Sequence, residues 1–321
     1  MSKNTPSQLA VTGALAILLS DCGGGSSSTT TTDSGTSTST STSTSTSTAG
    51  VLCDYASSLF NNSPSVNATA TARWSCSSTQ RSLAANGLPD HAVGTFPNPE
   101  NPNTIAAQSI AVSTTLTPKK TAVNTTFGPG TAKPGIALNG IVFDPGTAGT
   151  CDNSGNTCSP GGAPVGTWTI EALGQNSFKF GTDSNNAHVQ PGGVYHYHGV
   201  PAGFVTKLNK GTAMSLIGWA ADGFPIYARY GYATATDANS AIKVLASSFR
   251  LKTLPDANRP ATSMYPMGAF TQDYEYVAGL GDLDECNGRT GVTPEFPAGI
   301  YHYVATDTFP YLPRCVKGSV G

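Results

Sequence analysis

Charged side chains are scarce in this chain. Asp, Glu, Lys and Arg make up 11% of its 321 residues, against about 25% in ordinary soluble proteins, and the formal net charge is −2. Binding to nucleic acid depends on clustered lysine and arginine that neutralise phosphates, so the composition excludes nucleic acid as a partner. Lysine and glutamate are also strong helix formers. Their scarcity beside 36 glycines and 22 prolines favours turns and strands over long helices.

Several catalytic motifs are missing as well. The chain has no Gly-x-Ser-x-Gly nucleophile elbow, no phosphate-binding loop and no dinucleotide fingerprint, so the chemistries that depend on them have no support. It has no Cys-x-x-Cys pair either. The acidic run 282–285 could bind calcium, but it lacks the regular oxygen-ligand spacing of an EF-hand loop. Calcium is therefore kept only as an alternative cofactor.

The first 22 residues resemble a bacterial lipoprotein signal peptide. An apolar run, 9–19, is too short to span a membrane, and Cys22 stands where such a signal carries its lipid. A lipobox wants a small residue before its cysteine, so Asp21 leaves open cleavage elsewhere and secretion of a soluble protein. Gly23 follows the cysteine in place of the aspartate that typically retains lipoproteins at the inner membrane, and the resemblance to lipoproteins then implies the outer membrane. The sequence thus predicts a lipid-anchored protein of the cell envelope, at the outer membrane.

The six cysteines beyond Cys22 are an even number, which in an exported chain favours disulfides over free thiols. Fifteen pairings are allowed on paper. Thiolate metal ligands are the alternative, which an oxidising compartment and the missing Cys-x-x-Cys spacing disfavour. Proximity in sequence favours the pairs Cys53–Cys76, Cys151–Cys158 and Cys286–Cys315.

Three of the five histidines lie in one short stretch, 187–199. Residues on both sides of 191–193, Pro-Gly-Gly, alternate as strands do, and this tripeptide is typical of a tight turn. A hairpin centred on it places His188 opposite His196, while His196 and His198 share a face because strand side chains alternate. The three imidazoles then converge. We predict a transition-metal site, for which zinc and copper are equally suited.

The same phrase occurs a second time. Residues 297–304 match 191–198 without a gap, and His302 stands in the place of His196. We predict that His302 or Asp222 completes the metal shell, and that the two copies occupy pseudosymmetric positions in one sheet. The alternative interpretation is strand packing, in which each imidazole is satisfied by a hydrogen bond.

Six short phrases occur in order along the chain: Asn86-Gly-Leu-Pro-Asp-His91, Phe96-Pro-Asn98, Ala187-His-Val-Gln-Pro191, Tyr195-His-Tyr-His198, Asp222-Gly-Phe-Pro-Ile226 and Asp284-Glu-Cys-Asn-Gly288. In these phrases the chain, from about residue 80 to its end, resembles the YHYH-domain proteins, an extracytoplasmic group. That family often has histidine at the positions of Arg289 and Val304, where this chain differs. The resemblance implies a fold rather than a reaction.

Three further residues are candidates for catalysis. Asp90 and His91 follow a proline in a loop, and such loops often carry function. Asp222 stands at the turn that ends a buried apolar strand. Beside a metal with an open coordination position they could supply a general base, which predicts a metal-dependent hydrolase. The alternative is that each aspartate only caps its own turn; for Asp90 and His91 the family resemblance favours a site role.

Two other functions use the same histidines. A copper-binding or storage lipoprotein would need the imidazoles but neither Asp90 nor Asp222. A surface interaction module would use the metal only to hold the hairpin together. The hydrolase remains the leading interpretation, acting on a small molecule or a polymer that the sequence does not identify.

The predicted fold class is mainly β: a single sandwich- or barrel-like domain with short helices, preceded by a disordered tether. Residues 23–50 are Gly, Ser and Thr repeats with nothing apolar to bury, which predicts the tether. Residues 51–79 are assigned to a small disulfide-bonded segment and 80–321 to the main domain. Asn139-Gly140 between apolar segments predicts a hairpin turn.

Overall fold

The computed structural model describes residues 52–127, 133–147 and 149–320. The predictions for the signal peptide (1–22), the lipidated Cys22 and the tether (23–50) lie outside the described residues. Within the described ranges the secondary structure is almost entirely strands, with one short α-helix, α1 (Ala202–Leu208), and a single turn of 3₁₀ helix, Thr271–Asp273. None of these helices has the length and hydropathy needed to cross a membrane.

The strands, in chain order, are β1 (Ala56–Asn61), β2 (Ala68–Cys76), β3 (Gln80–Ala85), β4 (Ile110–Thr115), β5 (Lys120–Thr126), β6 (Gly135–Ala137), β7 (Val142–Phe143), β8 (Thr150–Cys151), β9 (Cys158–Ser159), β10 (Trp168–Thr169), β11 (Ala187–Gln190), β12 (Val194–Tyr197), β13 (Ser215–Ala220), β14 (Pro225–Ala228), β15 (Tyr230–Tyr232), β16 (Ile242–Val244), β17 (Phe249–Leu251), β18 (Tyr274–Tyr276), β19 (Gly288–Gly291), β20 (Ile300–Ala305) and β21 (Cys315–Gly318). The predicted mainly β class is confirmed.

An eight-stranded sheet forms the centre of the fold, in the order β11-β12-β7-β6-β13-β14-β20-β19. Counted outward from the central β6–β13 pair, the two halves have the same order and the same relative directions of strands. In one half β12 runs parallel to β7 and antiparallel to β11; in the other, β20 runs parallel to β14 and antiparallel to β19. The two Tyr-His-Tyr strands therefore occupy equivalent positions in one sheet, as the repeated phrase predicted. The sheet ends at β11 on one side and β19 on the other and does not close, so it is not a barrel.

The β6–β7 turn of the first half corresponds to the β13–β14 turn of the second half. Asn139 lies in the turn between β6 and β7, and its Nδ2 donates to the Tyr197 hydroxyl at 3.0 Å. Asp222 lies in the turn between β13 and β14, and its Oδ2 accepts from the Tyr303 hydroxyl at 2.6 Å. In each half, one buried tyrosine of the Tyr-His-Tyr strand is bonded to the turn of the neighbouring hairpin.

The outer turns correspond as well. Residues 183–186, before β11, align without a gap with residues 284–287, before β19, and the two segments share their first aspartate and last asparagine. Tyr195 donates its hydroxyl to Asp183 Oδ2 at 2.7 Å, and Tyr301 donates to Asp284 Oδ2 at 3.0 Å. Both tyrosines of each copy are thus bonded to an acidic or amide side chain from a neighbouring turn, and the sheet is built from two structurally equivalent halves.

A four-stranded sheet, β1-β2-β3-β4, packs against the first half. The Trp74 indole donates to the Leu138 carbonyl at 2.9 Å, and Trp74 and Leu83 share one hydrophobic core with Phe143 and Tyr197. The boundary proposed after residue 79 falls in the turn between the paired strands β2 and β3. The described part of this segment, residues 52–79, therefore contributes β1 and β2 to a sheet that continues beyond it with β3 and β4.

All three predicted disulfides are present: Cys53–Cys76, Cys151–Cys158 and Cys286–Cys315. The sequence separations they close are 23, 7 and 29 residues. In the chain-entropy account, loops of this size stabilise the fold by about 2 to 4 kcal/mol each, chiefly through the unfolded chain. The thiolate-ligand alternative is excluded for these six residues.

The close approach of the two sheets predicts different costs for two glycines. Gly140 and Gly192 both have left-handed backbone, with φ of 85° and 88°. A Cβ on Gly140 would lie 2.4 Å from the Ala85 Cβ, whereas one on Gly192 meets nothing within 4 Å. Gly192→Ala should cost about 1–2 kcal/mol of backbone strain, and Gly140→Ala about 1–3 kcal/mol more because it overpacks the interface. Denaturant unfolding of both variants measures the difference; equal midpoints would contradict this account of the interface.

Candidate metal centre

The β11–β12 hairpin has the register that brings its histidines together. His188 pairs directly with His196, and Gly192 and Gly193 take φ of 88° and 81° in the turn between the strands. His198 follows β12, and its backbone N–H donates to the Asn186 carbonyl at 2.7 Å. Because side chains alternate along extended backbone, His196 of β12 and His198 after it lie on the face opposite Tyr195 and Tyr197.

The three imidazoles form a nearly equilateral triangle. Ring centroids are 4.7 Å apart for His188 and His196, 4.6 Å for His188 and His198, and 4.7 Å for His196 and His198. One nitrogen from each ring lies within 4.8 Å of the other two. Metal–imidazole bonds are about 2.0–2.1 Å, so nitrogens at this separation can surround one cation.

Backbone hydrogen bonds orient the rings for ligation. Nδ1 of His188 lies 2.8 Å from the Phe180 carbonyl, and Nδ1 of His196 lies 3.1 Å from the Val194 carbonyl. A carbonyl accepts only, so each Nδ1 carries the proton and leaves the Nε2 lone pair free, which is the usual arrangement around a metal-binding histidine.

The pair His188 and His198 favours a cation between its rings. Their Nε2 atoms face each other at 3.0 Å, and His188 has its proton on Nδ1. Without a metal, His198 must place its proton between the two Nε2 atoms. Its own Nδ1 is then a buried atom with no hydrogen-bond partner. A cation would accept both Nε2 lone pairs, and the His198 proton would then lie on Nδ1. Nδ1 has no partner in either case, so the fit to a metal rests on the two facing Nε2 atoms.

Burial keeps the ligands neutral. It lowers the pKa of His196 to about 3, with a smaller contribution from His188, and lowers the pKa of His198 well below its usual value. The pKa of His188 is lowered too, again chiefly by burial. Metals bind the neutral imidazole, so the three rings are in the ligating state at neutral pH.

All three histidines line a cleft of about 640 Å³. Lys133 and Asp144 line it as well, and their Nζ and Oδ2 atoms form an ion pair at 2.5 Å. Sequence reasoning missed both charged residues. Asp144 follows β7, and only the pairing of β7 with β12 places it beside the histidines.

The predicted fourth ligand, His302, lies elsewhere. It sits on β20, and β7, β6, β13 and β14 separate that strand from β12. Five strand spacings amount to about 24 Å, too far for a shared ion. His302 is opposite Arg289 in the register, and its ring contacts Tyr227 at 5.4 Å between centroids. Among the described residues, the group able to hold a metal consists of the three hairpin histidines, so His302 is corrected to a buried core residue.

Asp222 is also outside this cluster. Its Oδ2 accepts hydrogen bonds from the Tyr303 hydroxyl at 2.6 Å and the Gly318 N–H at 2.8 Å. Burial raises the pKa of this carboxyl, and the hydrogen bonds oppose the rise. Asp222 belongs to the second half of the sheet, so its proposed roles as a ligand or as a base for the histidine site do not agree with its position. It secures a buried turn.

Asp90 and His91 lie behind the sheet. His91 Nε2 is 2.6 Å from the hydroxyl of Tyr197, which points away from the imidazoles. Asp90 accepts from Asn139 Nδ2 at 2.9 Å and forms an ion pair with Lys207. The structure joins Asp90 and His91 through one polar network, but places that network on the opposite face from the cleft. Neither can act as a base for a metal on the three histidines.

The acidic run considered for calcium is occupied by lysine side chains. Asp282 pairs with Lys243 at 2.7 Å. Lys317 Nζ lies 2.5 Å from Glu285 and 3.6 Å from Asp284, and Asp284 also accepts from the Tyr301 hydroxyl. These carboxylates stabilise the turn before β19, and among the described residues they do not form a group able to hold a metal.

Comparison with known families confirms the resemblance to the YHYH proteins over most of the main domain. Residues 111–318 match a family described as YHYH protein. The chain belongs to the YHYH family. The match includes the hairpin histidines, both halves of the central sheet and the cleft residues Lys133 and Asp144, but not Asp90 or His91. Searches of curated proteins and of solved structures find no match.

Substitutions in the two Tyr-His-Tyr strands should have different effects on metal retention. The double variant His196→Ala, His198→Ala removes two of the three ligands and should lose the ion, whereas His302→Ala, at an equally buried position of the equivalent strand, should keep about one ion per chain. Elemental analysis after extensive dialysis measures this. Equal metal content in wild type and the double variant would contradict the site.

The buried His302 also predicts a pH dependence. Burial lowers its pKa from 6.5 to about 4. Below pH 6.5 the unfolded chain binds this proton while the folded chain does not, so the unfolding free energy falls as the pH drops from 6.5 towards 4, by up to about 1.4 kcal/mol per unit. His302→Phe should remove this contribution and give a shallower decline. Denaturant unfolding of metal-free protein at several pH values tests it, with pH 7–8 as the flat reference; identical slopes would refute it.

Proposed function

We propose that this YHYH protein is an exported metal-dependent hydrolase that holds zinc on His188, His196 and His198. The observation that carries the proposal is the convergence of three neutral imidazoles on the wall of an open cleft. Catalytic zinc sites use three protein ligands and keep a fourth position for water or substrate, whereas structural sites use four protein ligands. A zinc ion held by these three residues would supply Lewis-acid chemistry and would lower the pKa of a bound water to about 7.

The chain's own residues supply the rest of the site. The Phe180 and Val194 carbonyls hold two ligand rings in one tautomer. The cleft also offers Asp144 as a hydrogen-bond acceptor and Lys133 as a positive charge beside the histidines. These two replace Asp90 and Asp222 as the polar groups that a substrate would meet.

A copper storage function has weaker support. Soft sulfur ligands select copper(I), but the six cysteines in the described residues are in disulfides, and neither methionine nor cysteine lines the cleft. The all-imidazole set still suits copper(II), so the metal must be identified by measurement.

A purely structural metal is disfavoured by the second half of the sheet. The β19–β20 hairpin keeps the antiparallel pairing of β11–β12 with Arg289 opposite His302 and with Val304 in the position of His198. The same arrangement of strands thus forms without three histidines. A metal is not required to hold this hairpin geometry, which favours a chemical role in the first half.

Location outside the cytoplasm is part of the proposal. Three disulfides are typical of proteins that mature in an oxidising compartment. The lipoprotein-type signal and Cys22 would provide attachment to the outer membrane, and cleavage elsewhere would release the protein.

Turnover of chromogenic ester substrates tests the enzyme. With zinc restored, the full chain should hydrolyse at least one member of a panel of carboxylic, phosphate and sulfate esters, and His196→Ala should lower the rate at least about 100-fold because the metal's transition-state stabilisation, worth several kcal/mol, is lost. His302→Ala is the matched control and should retain the rate. Metal binding without turnover on any member of the panel would favour the storage function.

A further inference from the structure

The ion pair between Lys133 and Asp144 stands directly beside the proposed ligands. β7 runs parallel to β12, with Val142 beside His196. Two residues further along both strands, Asp144 is beside His198, and its backbone N–H donates to the Tyr197 carbonyl at 2.8 Å. Side chains alternate, so Asp144 projects from the same face as the imidazoles, with neighbouring Cβ atoms about 5 Å apart.

A carboxylate in this position is a natural fourth ligand. Three neutral imidazoles leave a divalent cation with its full positive charge, and aspartate is a common zinc ligand that would neutralise half of it. The described residues nevertheless place only the three histidines within ligating distance of one another, and Asp144 is outside that group.

Lys133 forms an ion pair with this carboxylate. Its Nζ is 2.5 Å from Asp144 Oδ2, with side-chain exposures of 34% for Lys133 and 15% for Asp144. The carboxylate is therefore largely shielded from water, and its charge is compensated by one ammonium group. Both residues line the cleft together with the three histidines.

The charges of Lys133 and Asp144 also act on the pKa values of two of the rings. The pKa of His188 is lowered mainly by burial, and the charge of Asp144 acts in the opposite direction. The pKa of His196 is lowered mainly by burial, and the charge of Lys133 adds to the lowering. Each member of the ion pair thus acts on the imidazole cluster.

We propose that Lys133 keeps the fourth coordination position open by holding Asp144 in an ion pair and so preventing this carboxylate from becoming a metal ligand. Lys133 is then a positioning residue, and the inference rests on the metal site of the proposed function. An ion pair in the cleft decides whether the metal has three protein ligands and room for substrate, or four ligands and a closed shell.

Cobalt(II) bound to the full chain provides the test, because its absorption spectrum reports the ligands and azide reports an open position. Wild type and Lys133→Arg, which retains the positive charge, should respond to azide at similar concentrations. In Lys133→Met the released Asp144 should bind the metal, so azide should be needed at concentrations at least about tenfold higher, and cobalt should bind about tenfold more tightly. The double variant Lys133→Met, Asp144→Asn has no carboxylate to release and should return to the wild-type azide response.

The outcomes distinguish this inference from the proposed function. A wild-type chain that takes up no cobalt would refute the metal site and the inference together. Cobalt uptake with the same azide response in wild type and Lys133→Met would refute the inference alone. Lys133→Gln carries the same test if the methionine variant does not fold, since its amide is uncharged.

Discussion

The register of β12 determines the chemistry of this protein, and hydrogen bonds to its two buried tyrosines hold that register. Tyr195 donates to Asp183, and Tyr197 is bonded to His91 and Asn139. A slip of one residue would exchange the two faces of the strand and move the histidines out of the cleft. Asp90 and His91, which were predicted to be catalytic, belong to the polar network on the opposite face of the sheet. This network contributes to the site by fixing the face of β12 on which the imidazoles lie.

Local patterns in the sequence were sufficient for the hairpin. Turn chemistry at Pro191-Gly-Gly193 set the register, and alternation then placed three histidines together. The disulfides followed from proximity in sequence. What local patterns could not supply is which distant strands become neighbours: Asp144 reaches the site through the pairing of β7 with β12, and Lys133 through its ion pair with Asp144. Neither residue belongs to a motif, so neither carried a signal.

The two wrong positions have different causes. Asp222 was assigned from its turn at the end of a buried strand, which does not say to which half of the sheet the turn belongs. His302 occurs in a phrase that repeats the first copy, and similarity of sequence was read as nearness in space. In a sheet of two equivalent halves, similarity means equivalence, and equivalent positions lie on opposite sides of the β6–β13 pair. The repeated phrase correctly predicted pseudosymmetry and, for the same reason, could not provide a shared ligand.

The two halves show how one architecture can carry a metal site on one side only. In the second half, Arg289 occupies the position equivalent to His188, and its positive charge adds to the burial that lowers the pKa of His302. A guanidinium has no lone pair to offer, so it cannot be a ligand, and its permanent charge repels a metal cation. Val304 in place of His198 lies in a small apolar cluster with Leu245 and Leu283. The buried tyrosine contacts preserve the strands in both halves, and the residues on the opposite face decide which half can bind a cation.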